Sequence, residues 1–87
     1  MQRVINVGTY DRTKGLALEW VPGFEIAVSV QGSEITIRAN SAGLLSLAQH
    51  LATLAQDGVP AGAHFHLDQY GGLEDGSHDL ILERVER

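Results

Sequence analysis

The sequence predicts an α+β fold, a mostly antiparallel β-sheet of about six strands with one long α-helix packed on one face, in the order ββββαββ. Several short segments alternate apolar and polar residues, which is typical of half-buried strands. One longer segment repeats apolar residues every three or four positions, which is typical of an amphipathic helix. At 87 residues the chain can build one hydrophobic core, so we expect a single domain over residues 1–87.

Four strands are predicted before the helix. The alternation is clearest from Phe24 onward, and the short Gln31-Gly32-Ser33 connection to the next alternating segment predicts a β-hairpin. An earlier strand ends at the turn signal Pro22-Gly23, and its Trp20 is expected in the core. A sheet with one apolar face needs a second layer to bury it. The four predicted strands cover residues 3–7, 16–20, 24–31 and 34–38.

The helix is predicted to supply that layer. Asn40 or Ser41 can cap its first turn, and Asp57-Gly58-Val59-Pro60 carries the glycine and proline that commonly follow a helix. The polar residues between these signals are expected to face solvent, namely Gln49, His50, Thr53 and Gln56. The apolar stripe expected to face the sheet is Leu44, Leu47, Ala48, Leu51, Leu54 and Ala55.

Two further strands are predicted after the helix. In the first of them, HFHLD, Phe65 and Leu67 should lie on one face and the polar residues on the other. The second strand runs from about His78 to Val85. Which of its faces points to the core is ambiguous, because residues 80–82 are all apolar and either alternate set of side chains could be buried. The last strand could therefore be buried on both of its faces. Alternatively, it could pair with the last strand of a second copy in a homodimer, and the protein would then be a homo-oligomeric structural module.

Composition and charge argue against several kinds of function. The protein has 6 basic and 11 acidic residues and a net charge of -5, so its field repels nucleic-acid phosphates. It contains no cysteine, and no apolar segment approaches the roughly 20 residues of a membrane span. Charged residues within the first 20 positions argue against a signal peptide. We therefore expect a cytoplasmic protein that binds neither nucleic acid nor membrane.

The histidines of HFHLD raise the alternative of a metal site. His64 and His66 would lie about 7 Å apart on one strand face, whereas Asp68 would lie about 13 Å from His64. A shared zinc would therefore need another ligand, which Glu83 provides if it stands opposite His64. This His64, His66 and Glu83 set is the basis for the alternative of a small metal-binding protein or enzyme. The favoured interpretation is an exposed strand face with no cofactor and no catalytic residue.

Three long segments of the chain resemble one known family. The segments are NSAGLLSLAQHLATLAQ at 40–56, VPAGAHFHLD at 59–68 and GLEDGSHDLILERV at 72–85, and LALEW at 16–20 fits the same pattern. Together they resemble the immunity protein 32 family of bacterial polymorphic toxin systems. The resemblance implies a cytoplasmic, non-enzymatic antidote that binds and silences a cognate toxin, often a nuclease in such systems.

On this interpretation an acidic protein would cover a basic toxin surface, with complementary charge speeding encounter. The loop YGGLEDGS and the polar face of HFHLD would then form the recognition surface. The residues expected to contact the partner are His64, His66, Asp68, Tyr70, Glu74, Asp75 and Asp79.

Overall fold

The computed structural model describes Ile5 and residues 7–86, in which two antiparallel β-hairpins are connected along the chain by one helix. The α+β class and the single helix are confirmed. The six-strand ββββαββ order is wrong, because the described part of the chain has four strands in the order ββαββ, arranged in two separate two-stranded sheets. The elements are β1 (Ile26–Gln31), β2 (Glu34–Ala39), α1 (Ser41–Leu54), β3 (His64–Leu67) and β4 (Leu80–Glu83).

The two earliest predicted strands differ from this arrangement. Most of the first, residues 3–7, lies outside the described residues, and residues 16–20 form no strand. Backbone groups near this segment bond to the side chains of Ser46 in the helix and of Gln56 just after it, instead of to a neighbouring strand. The Tyr10 N–H donates to Gln56 Oε1 at 2.9 Å, and the Val21 N–H donates to Ser46 Oγ at 2.8 Å. Alternation alone does not distinguish such a segment from a strand.

The hairpin of β1 and β2 has the predicted connection. Gly32 adopts a positive φ of 61°, which glycine tolerates without steric cost, and Gln31 stands opposite Glu34. The register places Val30 opposite Ile35 and continues to Ile26 opposite Ala39.

The two hairpins are joined along the outer edge of β1. The Glu74 N–H donates to the Ile26 carbonyl at 2.8 Å, and the His78 N–H donates to the Val28 carbonyl at 2.9 Å. The Val28 N–H completes the contact by donating to Ser77 Oγ at 3.1 Å. The segment that leads into β4 therefore covers this edge of β1, while β2 lies on the other side.

The helix begins where the sequence predicts. Asn40 is the N-cap, and its Oδ1 accepts from the Gly43 N–H at 2.8 Å and from the Glu25 N–H at 3.0 Å. At the other end, Arg84 Nη1 donates to the carbonyls of Leu54 and Gln56 at 2.8 and 2.6 Å. This guanidinium satisfies carbonyl groups that the end of a helix leaves unpaired.

The predicted buried face of α1 is partly wrong. Leu44 and Leu51 are exposed, whereas His50 and Thr53 are buried. The buried face is rich in small and polar residues because the helix lies close to the chain before β1, where the Ser46 hydroxyl accepts a backbone hydrogen bond. The residues buried on α1 are Gly43, Ser46, Leu47, His50, Thr53 and Leu54.

The core lies between α1 and the inner faces of both hairpins. Trp20 packs against it half-buried, with its ring stacked on Phe24 at a centroid distance of 4.4 Å. Within the described chain, no helix combines the length and apolar character needed to cross a bilayer. The buried apolar cluster is Ile26, Val28, Leu47, Leu54, Phe65, Leu67 and Leu73.

Candidate functional site

The outer face of the β3–β4 hairpin and the segment between its two strands carry the residues expected to contact a partner. Phe65 and Leu67 are buried, so the alternating residues His64 and His66 are exposed on the opposite face. The ambiguity of β4 is resolved by the pairing, which places the exposed Ile81 opposite His66. Leu80 and Leu82 stand opposite Leu67 and Phe65 and pack against the core.

Three predicted residues converge at one end of this face. His66 Nε2 lies 2.8 Å from Asp79 Oδ2, and both side chains remain about half exposed. Asp68 joins them, and ligand-type atoms of the three residues all lie within 4.8 Å of one another. The contact between His66 and Asp79 is an ion pair only when the imidazole is protonated.

Asp68 also organises the turn that follows β3. Its Oδ1 accepts from the Tyr70 N–H at 2.9 Å, and its carbonyl accepts from the Leu73 N–H at 3.0 Å. These bonds hold the turn in place while the Tyr70 side chain stays 90% exposed. A large aromatic residue is thus presented to solvent on a fixed backbone, as at many protein interfaces.

The rest of the loop is fixed against the domain. Gly72 has φ 103°, and its α-carbon lies against the Trp20 ring so closely that a side chain would overlap it. The Gly76 N–H donates to Gln69 Oε1 at 3.0 Å. Glu74 and Asp75 lie between these anchors and are exposed, so the loop presents its carboxylates from a defined position.

The charge of this region has one sign. Between positions 64 and 83 the sequence has no Lys or Arg, although five of the 11 acidic residues of the protein lie there. We call the β3–β4 outer face and its connecting loop the acidic face. Its carboxylates are Asp68, Glu74, Asp75, Asp79 and Glu83.

The structure bears on the metal alternative in two ways. Glu83 stands opposite His64, which is the register that the His64, His66 and Glu83 set requires. However, His64 Nδ1 lies 3.0 Å from the Gly62 carbonyl, so this nitrogen is a donor and only Nε2 remains for a metal. Among the described residues, the ligand-type atoms that lie within 4.8 Å of one another are instead those of His66, Asp68 and Asp79, and imidazole and carboxylates are ordinary ligands for divalent metals.

Sequence reasoning missed two contributors to this surface. Ile81 supplies an exposed apolar residue among the polar ones, which the ambiguous parity of β4 concealed. Gln69 fixes the loop through its side chain, and no sequence pattern indicates such a contact.

The fold and this surface define a small α+β protein with a one-signed, exposed face that carries an aromatic and an aliphatic side chain. The sequence model of the family described as Immunity protein 32 matches residues 34–85 of the chain. The match covers more than half of the protein, and the chain belongs to this family. No curated protein and no solved structure matched in the corresponding searches.

Proposed function

We propose that the protein is a non-enzymatic immunity protein that binds a cognate bacterial toxin in the cytoplasm and neutralises it. The observation that carries this proposal is the family match over residues 34–85. The matched segment includes β2, α1, β3, β4 and the loop between the last two strands. It therefore contains every residue of the acidic face.

The acidic face is the surface that best fits a toxin. Its carboxylates favour a partner with a basic surface, such as the groove in which a nuclease holds phosphates. Tyr70 and Ile81 are exposed and supply apolar area that polar residues surround. Interfaces usually concentrate binding energy in a few such anchors within a polar rim. The contacts are proposed for His64, His66, Asp68, Tyr70, Glu74, Asp75 and Asp79.

Co-expression with the product of the neighbouring toxin gene tests the function directly. We expect cells that produce both proteins to grow while cells with the toxin alone do not, and the two proteins to co-purify as a stoichiometric complex. A Tyr70→Ala variant should weaken the complex, whereas Arg12→Ala, a change in an exposed turn far along the sequence, should not. Toxicity that persists in the presence of the folded protein would contradict the proposal.

A second candidate function is metal binding, which the convergence of His66, Asp68 and Asp79 favours. An assay on the purified proteins distinguishes metal binding from toxin recognition by the acidic face. The protein and the toxin are mixed with and without a chelator, and toxin activity is measured. Inhibition of the toxin that is unchanged by the chelator supports recognition by the acidic face alone. Inhibition that the chelator abolishes and zinc restores would instead assign the function to a metal-dependent protein.

A further inference from the structure

The outer edge of β2 is the longest open strand edge in the described part of the chain. β1 has its second edge covered by residues 74–78, but within the described residues β2 bonds to β1 alone. Five consecutive residues of β2, Glu34 to Arg38, are exposed. Open edges of this kind are templates for pairing with another strand, and proteins usually protect them.

The hydrogen-bond pattern identifies which backbone groups point outward. Ile26 and Val28 direct backbone groups away from β2, toward residues 74–78. In an antiparallel pair, opposite residues share the same orientation, so Ile37, which stands opposite Val28, also directs its N–H and C=O away from the pair. Ile35 is two residues away and has the same orientation.

The sequence of this edge is complementary to itself. When Glu34-Ile35-Thr36-Ile37-Arg38 is laid antiparallel on a second copy with Thr36 opposite Thr36, Ile35 comes opposite Ile37. Glu34 comes opposite Arg38 of the second copy, and a two-fold axis repeats this pair. The residues with outward backbone groups then bond to each other, as the alternation of an antiparallel ladder requires.

We propose that β2 pairs with β2 of a second copy of this chain about a two-fold axis through Thr36, joining the two β1–β2 hairpins into one four-stranded antiparallel sheet. This pairing is an isologous interface, the usual form of a homodimer. It forms two cross-strand ion pairs and two isoleucine pairs, and both kinds of pair stabilise antiparallel sheets.

The exposed apolar residues of the β1–β2 hairpin support a second copy of the chain as the partner of β2. Ile35 is 69% exposed, and Val30 and Ile37 lie on the same face with roughly half of their surface in solvent. Pairing would bring the corresponding residues of both copies side by side in one apolar strip. β4, which is the observed part of the other strand considered for a dimer, has Glu83 as its single charged residue and offers no opposite-charge self-pair.

Charge exchange tests the proposal without disturbing the fold. In the monomer Glu34 stands opposite Gln31, and Arg38 stands opposite Ala27, so neither charge has an ionic partner across the hairpin. We expect Glu34→Arg and Arg38→Glu each to weaken the dimer about tenfold or more, because each change converts two attractive pairs into repulsive ones. The double variant E34R/R38E should restore the wild-type dimer in analytical ultracentrifugation.

A cysteine test fixes the register independently, because the protein contains no cysteine. At a non-hydrogen-bonded pair the α-carbons lie about 4.5 Å apart, within the range of a disulfide. Thr36→Cys should therefore oxidise rapidly to a covalent dimer. Glu34→Cys is the matched control, since it would lie about 13 Å from its own copy along the paired strands.

Three results would overturn the proposal. The first is a wild-type protein that remains monomeric at its highest soluble concentration with circular dichroism typical of the folded state. The second is equal oxidation of the two cysteine variants, which would show random collision. The experiment does not depend on the proposed function, because no toxin is present. The third result is protection of β2 from hydrogen exchange by a toxin, in a monomeric protein, which would assign this edge to the toxin instead.

Discussion

His50 lies in the core with 0% of its surface exposed, although the helical pattern of the sequence predicts that it faces solvent. Its ring meets the Trp20 ring edge-on at 4.6 Å and lies 5.4 Å from the Phe65 ring. Within the described structure neither ring nitrogen has a hydrogen-bond partner. A buried polar group without a partner costs free energy of about 1–3 kcal/mol, so His50 lowers stability relative to an apolar residue of the same shape.

Burial lowers the pKa of His50 from the ordinary value of 6.5, because desolvation disfavours the charged imidazole. As the pH falls below about 6.5, the unfolded chain binds this proton before the folded chain does. The contribution of His50 to the free energy of unfolding is therefore most favourable above pH 6.5 and decreases as the pH falls toward the lower pKa of the folded state.

We predict that His50→Leu removes this part of the pH dependence. At pH 8 the variant should be as stable as the wild type or up to about 3 kcal/mol more stable, and its advantage should grow as the pH falls to 5. Urea unfolding at several pH values measures this difference. His64→Leu makes the same change at an exposed histidine and is the control for replacing a histidine with leucine. Parallel pH profiles for the wild type and His50→Leu would refute the prediction.

At the scale of the element, Gly43 explains why α1 packs through small residues. A β-carbon built at this position would lie 2.5 Å from the Glu25 carbonyl oxygen and 2.9 Å from Ile26 Cγ1. The helix can lie this close to the start of β1 only because the residue has no side chain. In the sequence, Gly43 looks like an unfavourable residue in a helix, so the close contact could not be predicted.

We expect Gly43→Ala to lower the free energy of unfolding by up to about 2 kcal/mol, although replacing glycine with alanine inside a helix usually raises stability. Alanine improves helix propensity by about 1 kcal/mol, but overpacking a close contact costs about 1–3 kcal/mol. Thermal or denaturant unfolding gives the net effect. Ser41→Ala, at the exposed first position of the same helix, should change stability by about 0.5 kcal/mol or less. A Gly43→Ala protein more stable than the wild type would show that the helix moves freely away from β1.

For the whole molecule, the sequence predicted the parts that depend on local pattern. The β1–β2 hairpin, the Asn40 cap and the faces of β3 each follow from spacing or turn chemistry, and all are confirmed. The strand expected at residues 16–20 is wrong, because the side chains of Ser46 in the helix and of Gln56 just after it bind the backbone around this segment.

The candidate site shows the same division between local and long-range information. The alternation of HFHLD predicts that His66 and Asp68 share a face, and in the structure ligand-type atoms of the two residues lie within 4.8 Å of each other. The approach of Asp79 to His66 depends on the register of the last hairpin, which two isolated strand patterns do not determine. The pairing of strands that are distant in the sequence and the close packing of the helix could therefore not be predicted from the sequence.

The acidic face leads to a prediction about the rate of toxin binding. We predict that the triple variant Glu74→Lys, Asp75→Lys and Asp79→Lys associates with the toxin about tenfold or more slowly at low salt, because it loses electrostatic attraction to a basic surface. The difference should shrink as salt rises, since the Debye length is only about 10 Å at 0.1 M. Stopped-flow association at two salt concentrations measures both effects.

The control for this prediction must separate the local face from the total charge. Lysine at Glu19, Asp57 and Glu86, which are exposed outside the acidic face, changes the net charge from -5 by the same amount. Because screening confines electrostatic steering to nearby charges, this control should slow association much less than the first triple variant. Equal slowing by both variants would mean that net charge, and not the position of the acidic face, directs the toxin. Unchanged rates in both would place the toxin contact elsewhere on the molecule.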